Sequence, residues 1–251
     1  MSTLLLRLAA PMQSWGRASK FDRRLTEQEP TRSGVIGLLA CAMGIRRGSS
    51  LSVFDSLRFG VRIDQAGRLG VDYQIAQDMT KKKNANPWVT HRYYLLDAVF
   101  LAAIEGEQEF LIRIQQALSH PAFPLFLGRR SCPPAGPLVL GIRDKSLDET
   151  LYTEPWQAGE WYQNHMRKKQ ENMQIEIVRD AGAAEPGYSV RDVPISFSQK
   201  RREYGFRNVI RENISLQDIW LNSRLTGSLE KARTEHDPME LLEENDVSVK
   251  S

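Results

Sequence analysis

Three clusters of residues carry side chains that could do chemistry. In the first, Pro30-Thr31-Arg32-Ser33-Gly34 runs into an apolar stretch where Val35, Leu38, Leu39, Ala42 and Met43 recur at helical spacing. That spacing predicts a helix with one buried stripe, capped by Thr31 or Ser33 and stopped at Gly44. The free N–H groups of its first turn, with Arg32 beside them, make a small anion site suited to phosphate. An ordinary capped core helix is the plainer alternative. The second cluster is Gly128-Arg129-Arg130-Ser131, where glycine permits close backbone approach and two adjacent arginines point to opposite sides. The third runs through Lys81-Lys82-Lys83 to Trp88, His91, Arg92 and Tyr93. Its lysines attract phosphate, and its rings offer faces and edges to unstacked bases. Such chemistry fits a polyanion with accessible bases.

Smaller signals join these. Gln13-Ser14-Trp15 follows a strand and Pro11, and leads to a polar loop with Lys20, Arg23 and Arg24. Trp15 could stack on a base or tuck over the core. Residues 199–207 form a basic loop with Arg201 and Arg202. Catalysis has one candidate: His91 lies near Tyr93 and the three lysines, groups that a metal-free ribonuclease could use for general acid–base transfer. A mobile lysine loop argues against the rigid placement such transfer needs. The other three histidines are scattered, and no phosphate-loop, dinucleotide, zinc-protease or serine-hydrolase motif is present. Cys41 and Cys132, the two cysteines, have no metal-ligand spacing around them. No metal and no cofactor is therefore expected.

The elements that must position these groups can be read in order. Residues 3–9 form a buried strand, 57–64 a half-buried strand by strict alternation, 94–104 a long central strand and 137–143 another. With helices over 35–43 and 107–118, the order is strand, helix, strand, strand, helix, strand. This predicts an α+β fold of ferredoxin-like (RRM-like) type, with two helices on one face of an antiparallel sheet. The lysine-rich loop projects from its central hairpin. Residues 146–221 read as a small, mostly β C-terminal region. The tail from 222 is charged and poor in aromatics, the composition of a flexible segment.

Charge is uneven along the 251 residues. The net is +3, but four basic and seven acidic residues from Asn222 to Ser251 give −3, so residues 1–221 carry +6. Residues 1–70 hold eleven basic and five acidic side chains. A basic body with an acidic end suits a polyanionic partner. The apolar run 4–10 is much shorter than a membrane span and lacks a preceding basic stretch. Neither signal peptide nor anchor is expected, which implies a cytoplasmic protein without a membrane partner.

Three ordered stretches resemble one family. They are Leu4-Leu5-Leu6-Arg7-Leu8-Ala9-Ala10-Pro11-Met12-Gln13-Ser14-Trp15-Gly16, Pro30 to Ala40, and Leu127-Gly128-Arg129-Arg130-Ser131-Cys132-Pro133. Together they look like the CasD subunits of type I-E CRISPR Cascade complexes, and the likeness spans roughly residues 1–145. The resemblance implies a RAMP-superfamily domain over 1–145 with a thumb-like β-hairpin insertion at about 70–92. It implies a non-catalytic subunit that grips the 5′ handle of CRISPR RNA. That subunit would cap the filament of Cascade backbone subunits, help seat the large subunit, and meet target DNA only through the assembled complex. Relatives in type I-C systems cleave repeat RNA with tyrosine, lysine and histidine side chains, which keeps a repeat-processing endoribonuclease as the alternative. The triple lysine and the acidic tail depart from the family pattern.

Overall fold

The computed structural model describes residues 1–16, 23–77, 87–169 and 173–221. Lys81, Lys82, Lys83, Lys20 and the 222–251 tail lie outside the described residues. The first half runs β1 (Ser2–Ala9), β2 (Met12–Gln13), β3 (Arg23–Arg24), α1 (Arg32–Ala42), β4 (Arg58–Gln65), β5 (Arg68–Ala76), β6 (Trp88–Leu96) and β7 (Val99–Gly106). The second half runs α2 (Gln108–Ser119), β8 (Val139–Arg143), α3 (Leu147–Thr153), α4 (Glu160–Lys169), β9 (Gln174–Asp180), β10 (Tyr188–Phe197) and β11 (Arg202–Ser215), then a helical turn over 216–221.

Seven strands form one antiparallel sheet in the order β10-β11-β9-β4-β7-β1-β8. Both faces of its centre are covered. Alternation along β1 shows this directly, because Leu4, Leu6 and Leu8 enter one core while Leu5 enters the other. The first core lies under α1 and α2, the second under α3, Trp156 and the 216–221 turn. Each of these fully buried leucines contributes roughly 1.5–3 kcal/mol.

Covering both faces changes how β4 must be read. Its inner polar residues do not face water: Arg62 and Asp64 are fully buried and paired at 2.6 Å. Arg62 also donates to the carbonyls of Leu151, Glu154 and Pro155, and Asp64 accepts from Gln157 N. The expected half-buried strand is a central one, its polar side satisfied by the segment after α3.

The stretch 94–104 is two strands, not one. The chain turns at Asp97, whose φ is +55°, and Asp97 N donates to Pro11 O. Tyr94, Leu95 and Leu96 end β6 in a separate four-stranded sheet, while β7 returns through the large one. Both sides of the turn are apolar, so hydrophobicity alone gives no mark of the break. In the small sheet β6 is flanked by β5 on one side and by β2 and β3 on the other. The C-terminal region also holds more helix than its sequence suggests. Its strands β9 to β11 join the large sheet through β4 rather than forming one of their own.

Candidate nucleic-acid interface

The start of α1 forms as its sequence predicts. Thr31 is the cap, its Oγ1 accepting from Gly34 N at 3.2 Å, and Gly44 leaves the helix at φ +74°. The anion that meets it, however, is the protein's own. Arg32 N donates to Asp192 Oδ2 at 2.8 Å, and the Arg32 guanidinium reaches Asp180 at 2.7 Å and the Leu57 carbonyl at 2.7 Å. Arg207 completes the cluster, bonding both carboxylates of Asp192 and Asp180 at 2.6 Å. Thr31, Arg32 and Ser33 are all buried. The expected phosphate site is thus filled from within, because β9 and β10 bring two carboxylates to it.

The 13–15 segment is spent in the same way. Gln13 Nε2 donates to the carbonyls of Leu8 and Ala98, and its Oε1 accepts from Trp15 Nε1. Trp15 is 1 % exposed and lies so close to Gly34 that a Cβ there would meet the indole at 2.7 Å. Ser14 is buried and donates to the Tyr93 carbonyl. Trp15 takes the core position that competed with base stacking, and none of these three side chains offers RNA a surface.

Around the 128–131 turn the situation is open. Gly128 has φ +87° and presses on Ser14, where an added Cβ would sit 1.6 Å from the Ser14 carbonyl oxygen. Only glycine fits both demands. Leu127 N and Cys132 N close the turn on the carbonyls of Cys132 and Arg129. Arg129 then folds inward, its guanidinium 4.6 Å from the Tyr94 ring centre and its Nη2 donating to Arg24 O at 2.7 Å. Arg130 and Ser131 are exposed, and the Ser131 hydroxyl is 3.4 Å from that of Tyr94. Because α1 abuts Trp15 and Gly128 abuts Ser14, the two predicted cradles are neighbours. Only one is vacant of internal carboxylates.

The hairpin of β5 and β6 has two chemically different faces. Arg92 and Tyr94 alternate with His91 and Tyr93, and the register places Arg24 beside Arg92 and Arg23 beside His91. One face therefore gathers Arg24, Arg92, Arg129 on Tyr94, and exposed Trp88. Asp72 stands across from Arg92, but its Oδ2 accepts from Gln74 Nε2 at 2.6 Å. Arg92 Nε is enclosed without an acceptor among the described residues. Like charges side by side on adjacent strands are unfavourable unless an anion joins them. The other face carries Leu69, Val71, Tyr73 and Ile75, each more than half exposed, with His91 edge-on to Tyr73. Their strict alternation along β5 is a sequence signal that could have located this apolar stripe, which the motifs do not mark. Arg201 and Arg202 are exposed beside the β10–β11 turn, in the large sheet, and Arg201 pairs with Glu203. Tyr94, which seats Arg129, is the site residue that the motifs do not point to.

Among the described residues no three His, Cys, Asp or Glu side chains gather as a metal site. No described helix is long and apolar enough to cross a membrane.

Fold and site define an α+β protein that presents, beside a glycine turn, a guanidinium ribbon not neutralised by any carboxylate of the described residues. Residues 3–210 match the family model described as CRISPR-associated protein (Cas_Cas5), and the chain belongs to that Cas5 family. It is 36 % identical over 158 residues to the CRISPR system Cascade subunit CasD of Escherichia coli K12, covering 56 % of this chain and 70 % of that protein. A chain of a solved CRISPR RNA-guided surveillance complex superposes with a TM-score of 0.70 at 29 % identity, covering 88 % of this chain and 99 % of the other. A Cas protein crystal structure gives 0.66 at 35 % identity over 86 % and 97 %.

Proposed function

We propose that this chain is a Cascade subunit that holds the 5′ handle of CRISPR RNA without cleaving it, within a cytoplasmic ribonucleoprotein. The observation that carries this reading is the cationic face of the hairpin. Arg24, Arg92 and Arg129 on that face, with Arg23 on the same short strand and Arg130 on the adjoining turn, have no carboxylate of the described residues at salt-bridge distance, whereas the arginines of the large sheet are mostly paired. Phosphate contacts there would set the strand's register, and exposed Trp88 would stack on a splayed base. The aliphatic face opposite suits a protein neighbour, so the hairpin would lie between RNA and a backbone subunit as the filament is capped. Help in seating the large subunit, and contact with target DNA only through the assembly, belong to the same reading.

The order β8-β1-β7-β4, with α1 and α2 over one face, supports a ferredoxin-like RAMP domain over 1–145. The β5–β6 hairpin would be its thumb and 146–221 a smaller C-terminal part. Cleavage is disfavoured because His91 faces the aliphatic side, away from Arg92 and Arg129.

A tagged copy expressed with the other subunits should co-purify small RNA sharing one 5′ end. The Arg130→Ala variant should lose handle affinity several-fold and lower the salt slope by about 0.7, one phosphate's share for single strands. Random 5′ ends, or no RNA, would remove the assignment.

A further inference from the structure

The two adjacent arginines of the turn have different surroundings, and this deepens the reading just given, on which its RNA arm rests. We infer that Arg129 is a positioning residue that holds Arg23 and Arg24 in place, while Arg130 is free to meet the anion itself. Arg129 Nη2 donates to Arg24 O at 2.7 Å and also lies 3.4 Å from Leu25 O. Its Nη1 is enclosed, with no acceptor among the described residues. Its plane rests on the buried Tyr94 ring. A planar fork that is stacked and bonded to main-chain carbonyls is a strut more than a phosphate ligand. What it holds needs holding: β3 is two residues long, both exposed, and adds to β6 by one short parallel pairing. Farther along, Trp15 O accepts from Glu27 N and Trp15 N donates to Thr26 Oγ1. Arg129 is the tie at the arginine end, and the Gly128 turn is anchored through Ser14 to this same strip.

The purified full chain distinguishes the roles in two measurements. Filter binding to a short single-stranded handle RNA, across a salt series, reads how many phosphates are neutralised. A positioning role predicts that Arg129→Ala lowers the slope by about 1.4, the share of two phosphates, against about 0.7 for Arg130→Ala. Adding Arg129→Ala to the Arg23→Ala/Arg24→Ala pair should then change affinity less than twofold, and Arg129→Lys should not restore it. A lysine can supply charge to a phosphate but cannot stack and fork onto two carbonyls. Misfolding would lower the active fraction and leave the slope alone. Amide hydrogen exchange without RNA is the second measurement, and Arg129→Ala should speed exchange across residues 23–27. Losses that multiply with the Arg23/Arg24 pair, full rescue by lysine, or unchanged exchange would each overturn the proposal. If the wild type shows no salt-dependent RNA binding, the RNA reading fails. Faster exchange in Arg129→Ala would even so uphold the strut.

Discussion

At the start of α1 an arginine and a capped ring of N–H groups meet two buried carboxylates, Asp180 and Asp192. At the 128–131 turn Arg129 meets a tyrosine ring and main-chain carbonyls while Arg130 is exposed, and neither meets a carboxylate of the described residues. Local chemistry is nearly the same in both places. The outcome differs because β9 and β10 pass one and not the other. An anion-binding motif is thus a statement about demand, and the supply can come from 148 and 160 residues away within the same chain. Where the chain supplies the anion the motif becomes a rivet, and where it does not the motif stays open to a partner.

The largest test of this contrast removes the internal anion. Asp192 is fully buried and accepts from Arg32 N and from both Arg207 Nε and Nη2. Asp192→Ala should cost about 3–5 kcal/mol in urea unfolding, since it strands Arg207 with half its partners. Asp192→Asn, which keeps an acceptor, should lose less. In the folded fraction neither should alter the salt slope of RNA binding. A cost below about 1 kcal/mol would mean that the helix start is not closed by Asp192.

Next in size is Gly128→Ala. Its φ of +87° and the 1.6 Å approach to Ser14 O force the turn to move. Melting should report a loss of about 1–3 kcal/mol, and handle affinity should fall with it as the arginine strip loosens. Wild-type affinity in a destabilised Gly128→Ala protein would show that the open site does not depend on this turn.

Sequence periodicity sufficed to locate β1, α1, β4, α2 and β8, but not the burial of β4, whose Arg62 and Asp64 are enclosed by a segment distant in sequence. It could not separate β6 from β7, since both sides of Asp97 are apolar. Nor could it see α3 and α4, because Pro155 and Trp156 interrupt the pattern between them and Trp161 breaks the polar run inside α4. At the site, residue types were legible and their allegiance was not. Gln13, Trp15 and Arg32 look like ligand groups by composition, and only the tertiary partners Ala98, Gly34 and Asp180 show that they are spent. Arg129 and Arg130 cannot be told apart as a dipeptide. Tyr94 beneath one of them separates them.

The smallest expected effect concerns a third arrangement, in which an arginine meets its carboxylate at the surface. Glu185 accepts from Arg179 at 2.8 Å and from Gly182 N at 2.7 Å, and those bonds, the arginine's first, hold its pKa down to about 2 from 4.5. A carboxyl depressed in the folded state stabilises the protein above its unfolded pKa, and that stability fades as pH falls through the folded one. The melting difference between wild type and Glu185→Gln should therefore be steady above pH 4.5 and vanish by about pH 2. The group is exposed, so added salt should shrink the difference, whereas the buried Asp192 effect should hardly respond. A Glu185 difference that persists at pH 2, or that salt leaves unchanged, would break this separation of surface pair from interior rivet.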